Sequence, residues 1–257
     1  MLRSGNTRLG AYTLFENTDS SSYNSLQLSA HGWLPKRLQY TFSYAWSHVL
    51  DDVSDFFDGM GFFAMPQSED NLRAEKASAN FDVRHRVSAS YVWDLPLGGN
   101  NPIFGGWSVA GMFFARTGQP FTVNTSFDVN KDGVLSDRLN TMQGIQQVDQ
   151  GPVSFVLPSG AIKDGISLSF LASPGKDGAV GRNTFRARGV ASLDFSLLKK
   201  FRLSEQSNIE FRAEAFNLFN RPQFGVPVRI LEAPAFGSAT ATALPARRVQ
   251  LALKVIF

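Results

Sequence analysis

The residues best placed to do chemistry lie between Asp128 and Asp137. Asp128, Asn130 and Asp132 put side-chain oxygens at positions one, three and five, and Gly133 follows at position six. A hard cation such as Ca2+ takes six to eight oxygen ligands, and calcium loops use this spacing with a glycine at the sharp turn. The backbone carbonyl of Val134 and the side chains of Ser136 or Asp137 would complete the set. Position twelve is Leu139, where an EF-hand has a bidentate Glu, and no helical pattern flanks the loop. The residues therefore allow a weak Ca2+ site of the kind extracellular modules use. They equally allow a polar turn closed by Asx hydrogen bonds.

Other polar groups are arranged with less purpose. Glu210, Arg212 and Glu214 fall on alternate positions and so share one face of a strand, with Asp194 and Arg248 on neighbouring strands. They could line a substrate path; the expectation is a solvated, charge-balanced lumen wall. His31, His48 and His85 have no partners at metal spacing. No Ser/His/Asp set follows a recognisable motif, and no Gly-rich phosphate loop opens a helix. The chain is read as not an enzyme. Arg84-His85-Arg86 is expected to anchor a loop, with lipopolysaccharide contact as the other reading. The Phe56, Phe57, Phe62 and Phe63 group is expected to fold back on itself. A net charge of +3 with scattered Lys and Arg leaves no nucleic-acid footprint. The absence of cysteine rules out disulfides and fits passage through an oxidising compartment.

The elements that position these residues read as strands. The stretch 247–257 alternates, with Val249, Leu251, Leu253, Val255 and Phe257 on one face and Arg248, Gln250 and Lys254 on the other. An outer-membrane barrel needs this pattern, one face to lipid and one to a wet lumen, so these five residues are read as a membrane-insertion signal. Alternation recurs over 23–33, 38–50, 83–95, 107–117, 190–203 and 209–219, with 9–15 as a weaker candidate. The stretch 38–50 is longer than a usual globular strand and suits a tilted bilayer crossing. Leu34-Pro35-Lys36-Arg37 makes a tight turn.

Short and long connections alternate along the chain, and the three short ones fall on the side where 247–257 ends, as periplasmic turns would. The longest connection, 118–189, would be out of place in a compact soluble domain but fits an extracellular loop. Trp46, Trp93 and Trp107 lie at strand ends, where an interfacial girdle puts aromatics, whereas Trp33 has the wrong parity for the lipid face. No apolar run is long enough for a transmembrane helix, and the first residues do not form a signal peptide. The fold class is thus all-β: an antiparallel transmembrane barrel section of seven to eight long strands, incomplete, in the outer membrane of a Gram-negative type bacterium. Residues 1–22 would be an extracellular loop or truncated leading segment, and 23–257 the barrel section.

At Phe211-Arg212-Ala213-Glu214-Ala215-Phe216-Asn217-Leu218-Phe219-Asn220-Arg221-Pro222-Gln223-Phe224-Gly225 the sequence resembles the end of a TonB-dependent outer-membrane receptor of the Oar-like type. Ser22-Tyr23-Asn24-Ser25-Leu26-Gln27, Phe81-Asp82-Val83-Arg84-His85-Arg86, Gly118-Gln119-Pro120-Phe121-Thr122-Val123 and Gly181-Arg182-Asn183-Thr184 occur in the same order as in that family. The resemblance covers about residues 20–257. It implies a many-stranded barrel, an N-terminal plug domain, and ligand uptake energised by TonB. The implied partners are outer-membrane lipid, the barrel-assembly machinery, the plug and remaining strands, and TonB. With about seven strands and no plug, TonB-gripping segment or signal peptide in view, the expectation is a C-terminal fragment of such a receptor. Two other readings stand beside it. One is a free-standing eight-stranded barrel that uses 9–15. The other is a soluble Ca2+-binding adhesion-type β-domain.

Overall fold

A computed structural model describes residues 17–35, 37–54, 65–99, 101–161, 168–204 and 206–257. The candidate strand 9–15 and the Phe56/Phe57/Phe62/Phe63 group lie outside the described residues. In chain order the strands are β1 (Ser21–Leu34), β2 (Leu38–Asp51), β3 (Ala77–Ser78), β4 (His85–Asp94), β5 (Trp107–Arg116), β6 (Pro120–Phe121), β7 (Gln146–Gln150), β8 (Val153–Val156), β9 (Phe185–Arg186), β10 (Val190–Arg202), β11 (Asn208–Phe216) and β12 (Arg248–Ile256). The long strands form one antiparallel meander in the order β1-β2-β4-β5-β10-β11-β12, with β3 paired to the end of β2. The meander does not close, because β1 and β12 do not pair with each other.

Strand pairing carries the alternation of each segment across the whole sheet. Leu38, Tyr40, Phe42 and Tyr44 of β2 stand opposite Leu34, Gly32, Ala30 and Leu28 of β1 and opposite Trp93, Tyr91, Ala89 and Val87 of β4. The same row continues through Val109, Gly111, Phe113 and Ala115 of β5 to Leu197, Phe195, Leu193 and Ala191 of β10. It ends with Ala213 and Ala215 of β11 opposite Leu251 and Val249 of β12. A one-residue slip at any pair would turn half of this face over, so a shared apolar face fixes the register. Two glycines in the row are covered by aromatic neighbours. Tyr40 lies against Gly32, and a Cβ on Gly111 would meet the Tyr91 ring at 2.6 Å.

This face is apolar and uncovered. Leu251 and Leu253 are 67% and 69% exposed. In a sandwich, a second sheet would bury such a row. An apolar surface this extensive and contiguous marks contact with lipid or a partner.

The buried core lies elsewhere, in the long connections. Phe121, Val123, Leu139, Phe155, Phe170, Phe185, Ala187 and Leu231 pack together, and none belongs to the meander. The rings of Phe121, Phe155 and Phe185 sit 5.5 to 5.8 Å apart in edge and tilted contacts. The paired β6–β9 and β7–β8 strands frame this core. The stretch 118–189, expected as a long loop, is therefore a folded layer with its own interior. Its apolar residues come at irregular intervals, so no period announces them.

Gly118 marks where that layer leaves β5. A Cβ there would overlap the Ala187 carbonyl oxygen, which accepts no such approach without backbone movement. Ala187 N–H donates to Gln119 O at 2.9 Å, so the two backbones are locked together. Gly118→Ala should destabilise the layer by about 1–3 kcal/mol or more, as overpacking does. Faster proteolysis within 118–189, with the sheet still heat-modifiable on gels, would register this.

The turns opposite the layer are short. Arg37 takes φ 63, the left-handed residue that a three-residue hairpin loop needs. Between β10 and β11, Leu203 N–H donates to Ser207 O at 3.0 Å. Strand β11 stops at Phe216, three residues before the alternation runs out. The cause is Asn217, at φ 51, whose N–H turns aside to Asp194 Oδ1 at 2.8 Å.

Candidate functional site

The loop layer is tied to the sheet rim by three carboxylates that the sequence reading did not single out. Glu75 takes Arg138 Nη1 on both oxygens, at 2.8 and 2.7 Å, and both side chains are 5% exposed. Asp51, at the end of β2, pairs with Arg182 Nη2. Asp82, fully buried, accepts Arg186 Nη2 at 2.7 Å, Arg84 Nε at 3.0 Å and Val49 N–H at 2.9 Å. Gln67 completes the knot, with its oxygen on Arg138 N–H at 2.7 Å and its amide on Gly178 O at 3.0 Å.

Three of the motifs quoted above meet here. Thr122 and Asn183 exchange bonds, Oγ1 to Oδ1 at 3.0 Å and N–H to Oγ1 at 2.9 Å. Asn183 Nδ2 reaches Ser78 O at 2.8 Å. The fourth motif does the same job beside β10, where Gln223 exchanges bonds with the Ala191 backbone at 3.0 and 2.7 Å. Their presence among recognisable motifs was the one sequence signal. Arg84-His85-Arg86 likewise serves as an anchor: Arg84 Nη2 meets His48 Nε2 at 2.8 Å, and His85 Nδ1 meets the Tyr44 hydroxyl at 2.8 Å.

Asp82 gives this knot a pH dependence. Burial alone would raise its carboxyl, but Arg186, the Val49 N–H and Arg84 outweigh burial and hold it below the usual carboxylate range. A carboxylate depressed in the folded state stabilises it above the unfolded value of 3.8, and that contribution is lost as pH falls through the lower folded value. Protease resistance of the loop layer should therefore collapse below about pH 4. In Asp82→Asn this acid step should be missing, from a lower starting resistance.

The acidic loop sits inside the layer. Asp128 caps Asp132 N–H at 3.1 Å and Gly133 N–H at 3.0 Å, and Asp132 Oδ1 accepts Val134 N–H at 2.8 Å. Lys131 and Gly133 take φ 64 and 86, which make the sharp bend. Asn130 Nδ2 donates to Gln67 O at 2.9 Å and to Asp177 Oδ1 at 3.0 Å. Ser136 Oγ donates to Pro66 O at 2.9 Å. Asp137 is 1% exposed and accepts Val129 N–H on Oδ2 at 2.8 Å. Burial pushes its carboxyl up to about 6, and the charges of Asp132 and Asp128 add to that. Among the described residues, no three His, Cys, Asp or Glu side chains are already gathered at metal-holding distance.

On the sheet, Asp194, Glu210, Arg212, Glu214 and Arg248 all lie on the face opposite the apolar row, as register requires. Lys200 lies 3.7 Å from Glu210, and Arg212 lies 3.8 Å from Glu214. Gln250 donates to Glu214 at 3.2 Å, and Arg248 sits 5.7 Å over the Phe216 ring. Such half-exposed pairs are worth little individually. Asp194 instead holds the Asn217 turn. No converging set of acid, base and nucleophile is built from these residues.

One basic residue breaks the parity. Lys199 falls in the apolar row, opposite Phe211 and Trp107. It is 2% exposed, with Nζ donating to Ile103 O at 3.0 Å and to Gly105 O. The Trp107 and Phe201 rings flank the cation at 5.1 and 4.9 Å. It sits at the turn rim, where a lysine can satisfy itself at an interface.

Spaces open in and beside the layer. The inner one, about 20 Å³ between Glu75, Arg138 and Arg182, has room for about one water. A shallower one of about 590 Å³ is lined by Arg188, Arg221, Gln223 and Phe224.

An antiparallel meander with one continuous apolar face, a polar opposite face, short turns at one rim and a folded loop layer at the other defines the wall of an outer-membrane β-barrel. The chain belongs to the outer membrane beta barrel domain family, whose profile matches residues 2–250. No curated protein and no solved structure matches it. Membership places the protein in the outer membrane. The soluble adhesion-domain reading is set aside by this finding.

Proposed function

We propose that this chain is the C-terminal wall of a TonB-dependent receptor of the Oar-like type, and that it serves ligand uptake rather than catalysis. The observation that carries the reading is the open meander. In lipid, an unpaired strand edge leaves a row of backbone donors and acceptors with no water to satisfy them. Among the described residues, strands β1 and β12 both present such an edge, and single-chain bacterial barrels have even strand numbers. On this reading, further strands of the receptor meet both edges. The five receptor-like motifs stand in that family's order, and four of them bind the loop layer to the rim, which supports the Oar-like assignment over a generic barrel. On this reading the partners are lipid, the barrel-assembly machinery, a plug domain and TonB.

The chain has no cysteine, so paired single cysteines can be placed in β1 and β12 at lumen-facing positions such as Gln27 and Ala252. In outer membranes, no disulfide should form between the two edges of one chain. An antibody to β12 should detect a species larger than the 28.3 kDa of this chain. A heat-modifiable 28.3 kDa species with a β1–β12 disulfide would mean a free-standing barrel and overturn the proposal.

A further inference from the structure

The acidic loop holds one group that its own hydrogen bonds leave unexplained. Asp137 Oδ2 is used by Val129 N–H, but Oδ1 is buried and has no hydrogen-bond partner. An unpaired carboxylate oxygen inside a packed layer is costly unless a cation or donor meets it. The nearest strong base in sequence, Arg138, is committed elsewhere, with Nη1 on Glu75 and Nε on Val180 O at 3.0 Å. Asp128 and Asp132, whose negative charges act on Asp137, come from the same bend. Asn130 stands among them and links to a fourth carboxylate, Asp177.

We infer that this bend is a Ca2+ site in the extracellular loop layer, with Asp137 Oδ1 as its innermost ligand beside Asp128, Asn130, Asp132 and the Val134 carbonyl. The amide bonds already made to Asp128 and Asp132 do not exhaust these oxygens, because each keeps a second lone pair. Binding would draw the three carboxylates inward from their present spacing. Ser136 donates its hydroxyl proton to Pro66 O and keeps its oxygen lone pairs. Six to eight oxygens at 2.3–2.6 Å suit Ca2+, and a site with neutral Asn and carbonyl donors would suit Ca2+ better than Mg2+.

The site would do more than hold an ion. The bend touches the 65–82 connection through Gln67 O and Pro66 O. It also touches the 169–180 segment, where Gly175 N–H donates to Val129 O at 2.7 Å. Filling it would fasten two outer loops to the core of the layer, so external calcium would set the rigidity of the surface a ligand first meets. This inference rests on the loop geometry and not on the receptor assignment.

The test uses the full chain extracted from outer membranes in neutral detergent and stripped with EDTA. Radioactive Ca2+ in equilibrium dialysis should fill one site per chain, with Kd of about 10⁻⁴–10⁻³ M and no displacement by equal Mg2+. At about 10 mM Ca2+, opening-limited proteolysis within 118–189 should slow by roughly 10- to 100-fold. Asp132→Asn and Asp137→Asn should each weaken binding by at least about tenfold, whereas Asp149→Asn, with its side chain 82% exposed, should bind like the parent. In EDTA, Asp137→Asn should resist protease at least as well as the parent, because it removes a buried charge while keeping the oxygen for Val129 N–H. A carboxylate with a merely structural role would leave that variant weaker in EDTA. Absence of saturable Ca2+ uptake up to about 10 mM by the parent chain would overturn the inference without touching the receptor assignment.

Discussion

Glu75→Ala should open the loop layer by roughly a hundredfold or more while leaving the sheet in the membrane. The residue neutralises Arg138 inside the protein, and both side chains are 5% exposed. Removing one member of a buried pair strands the other charge, at a cost of about 3–5 kcal/mol. Little can compensate. Arg138 Nε is already on Val180 O, its backbone N–H is on Gln67 Oε1, and the adjoining space holds only about 20 Å³. Glu75 also accepts Gln67 N–H at 3.1 Å and, through its carbonyl, Arg182 Nε at 2.7 Å, so its helical turn lies at the centre of the knot. Hydrogen exchange should show lost protection in 118–189 and around 67–82, with β10–β12 unchanged. A double variant, Glu75→Leu with Arg138→Met, separates charge from packing. Replacing both members by apolar groups should recover much of the loss, as buried pairs elsewhere do. A single variant with unaltered exchange would show that the pair is wet and carries little.

The second large effect is a contrast between neighbours. Leu251→Arg should cost about 2–4 kcal/mol of folding stability in a bilayer, the value for a cationic side chain on the lipid face at the midplane. Leu251 pairs with Ala213 near the middle of β12, and the row continues through Leu197 and Val109. Gln250→Arg, one position away, should change stability by under about 1 kcal/mol. Its side chain lies on the other face, within 3.2 Å of Glu214, which an arginine would meet favourably. Denaturant titrations of bilayer-inserted protein measure both. Equal costs at the two positions would remove lipid from the account of the apolar row.

The motif residues serve the scaffold at the rim. The segments around Asp82, Thr122 and Asn183 are separated by up to a hundred residues and meet at one rim. Each is used up in holding backbone or an opposite charge. Asp137, outside those motifs, keeps one oxygen unspent, and so does Asn124.

What the sequence determined by itself was the sheet. A period of two needs no tertiary information, because successive side chains of any strand point to opposite faces. Val249 through Phe257 and Leu38 through Trp46 therefore announced both the strands and the two kinds of surroundings they separate. The same parity placed Glu210, Arg212, Glu214, Asp194 and Arg248 on one wall, and it put Lys199 in the wrong row for a reason only the structure supplies. That reason is the pair of turn carbonyls at Ile103 and Gly105, which meet its ammonium group. The loop layer was decided by the tertiary structure alone. Phe121, Leu139, Phe155, Phe185 and Leu231 become a core because distant backbones cross. Contacts between residues tens of positions apart leave no local period to read, and the buried pairs Glu75–Arg138 and Asp51–Arg182 are of the same kind. Local geometry repeats along a chain and is written in it; long-range closure depends on where the chain returns.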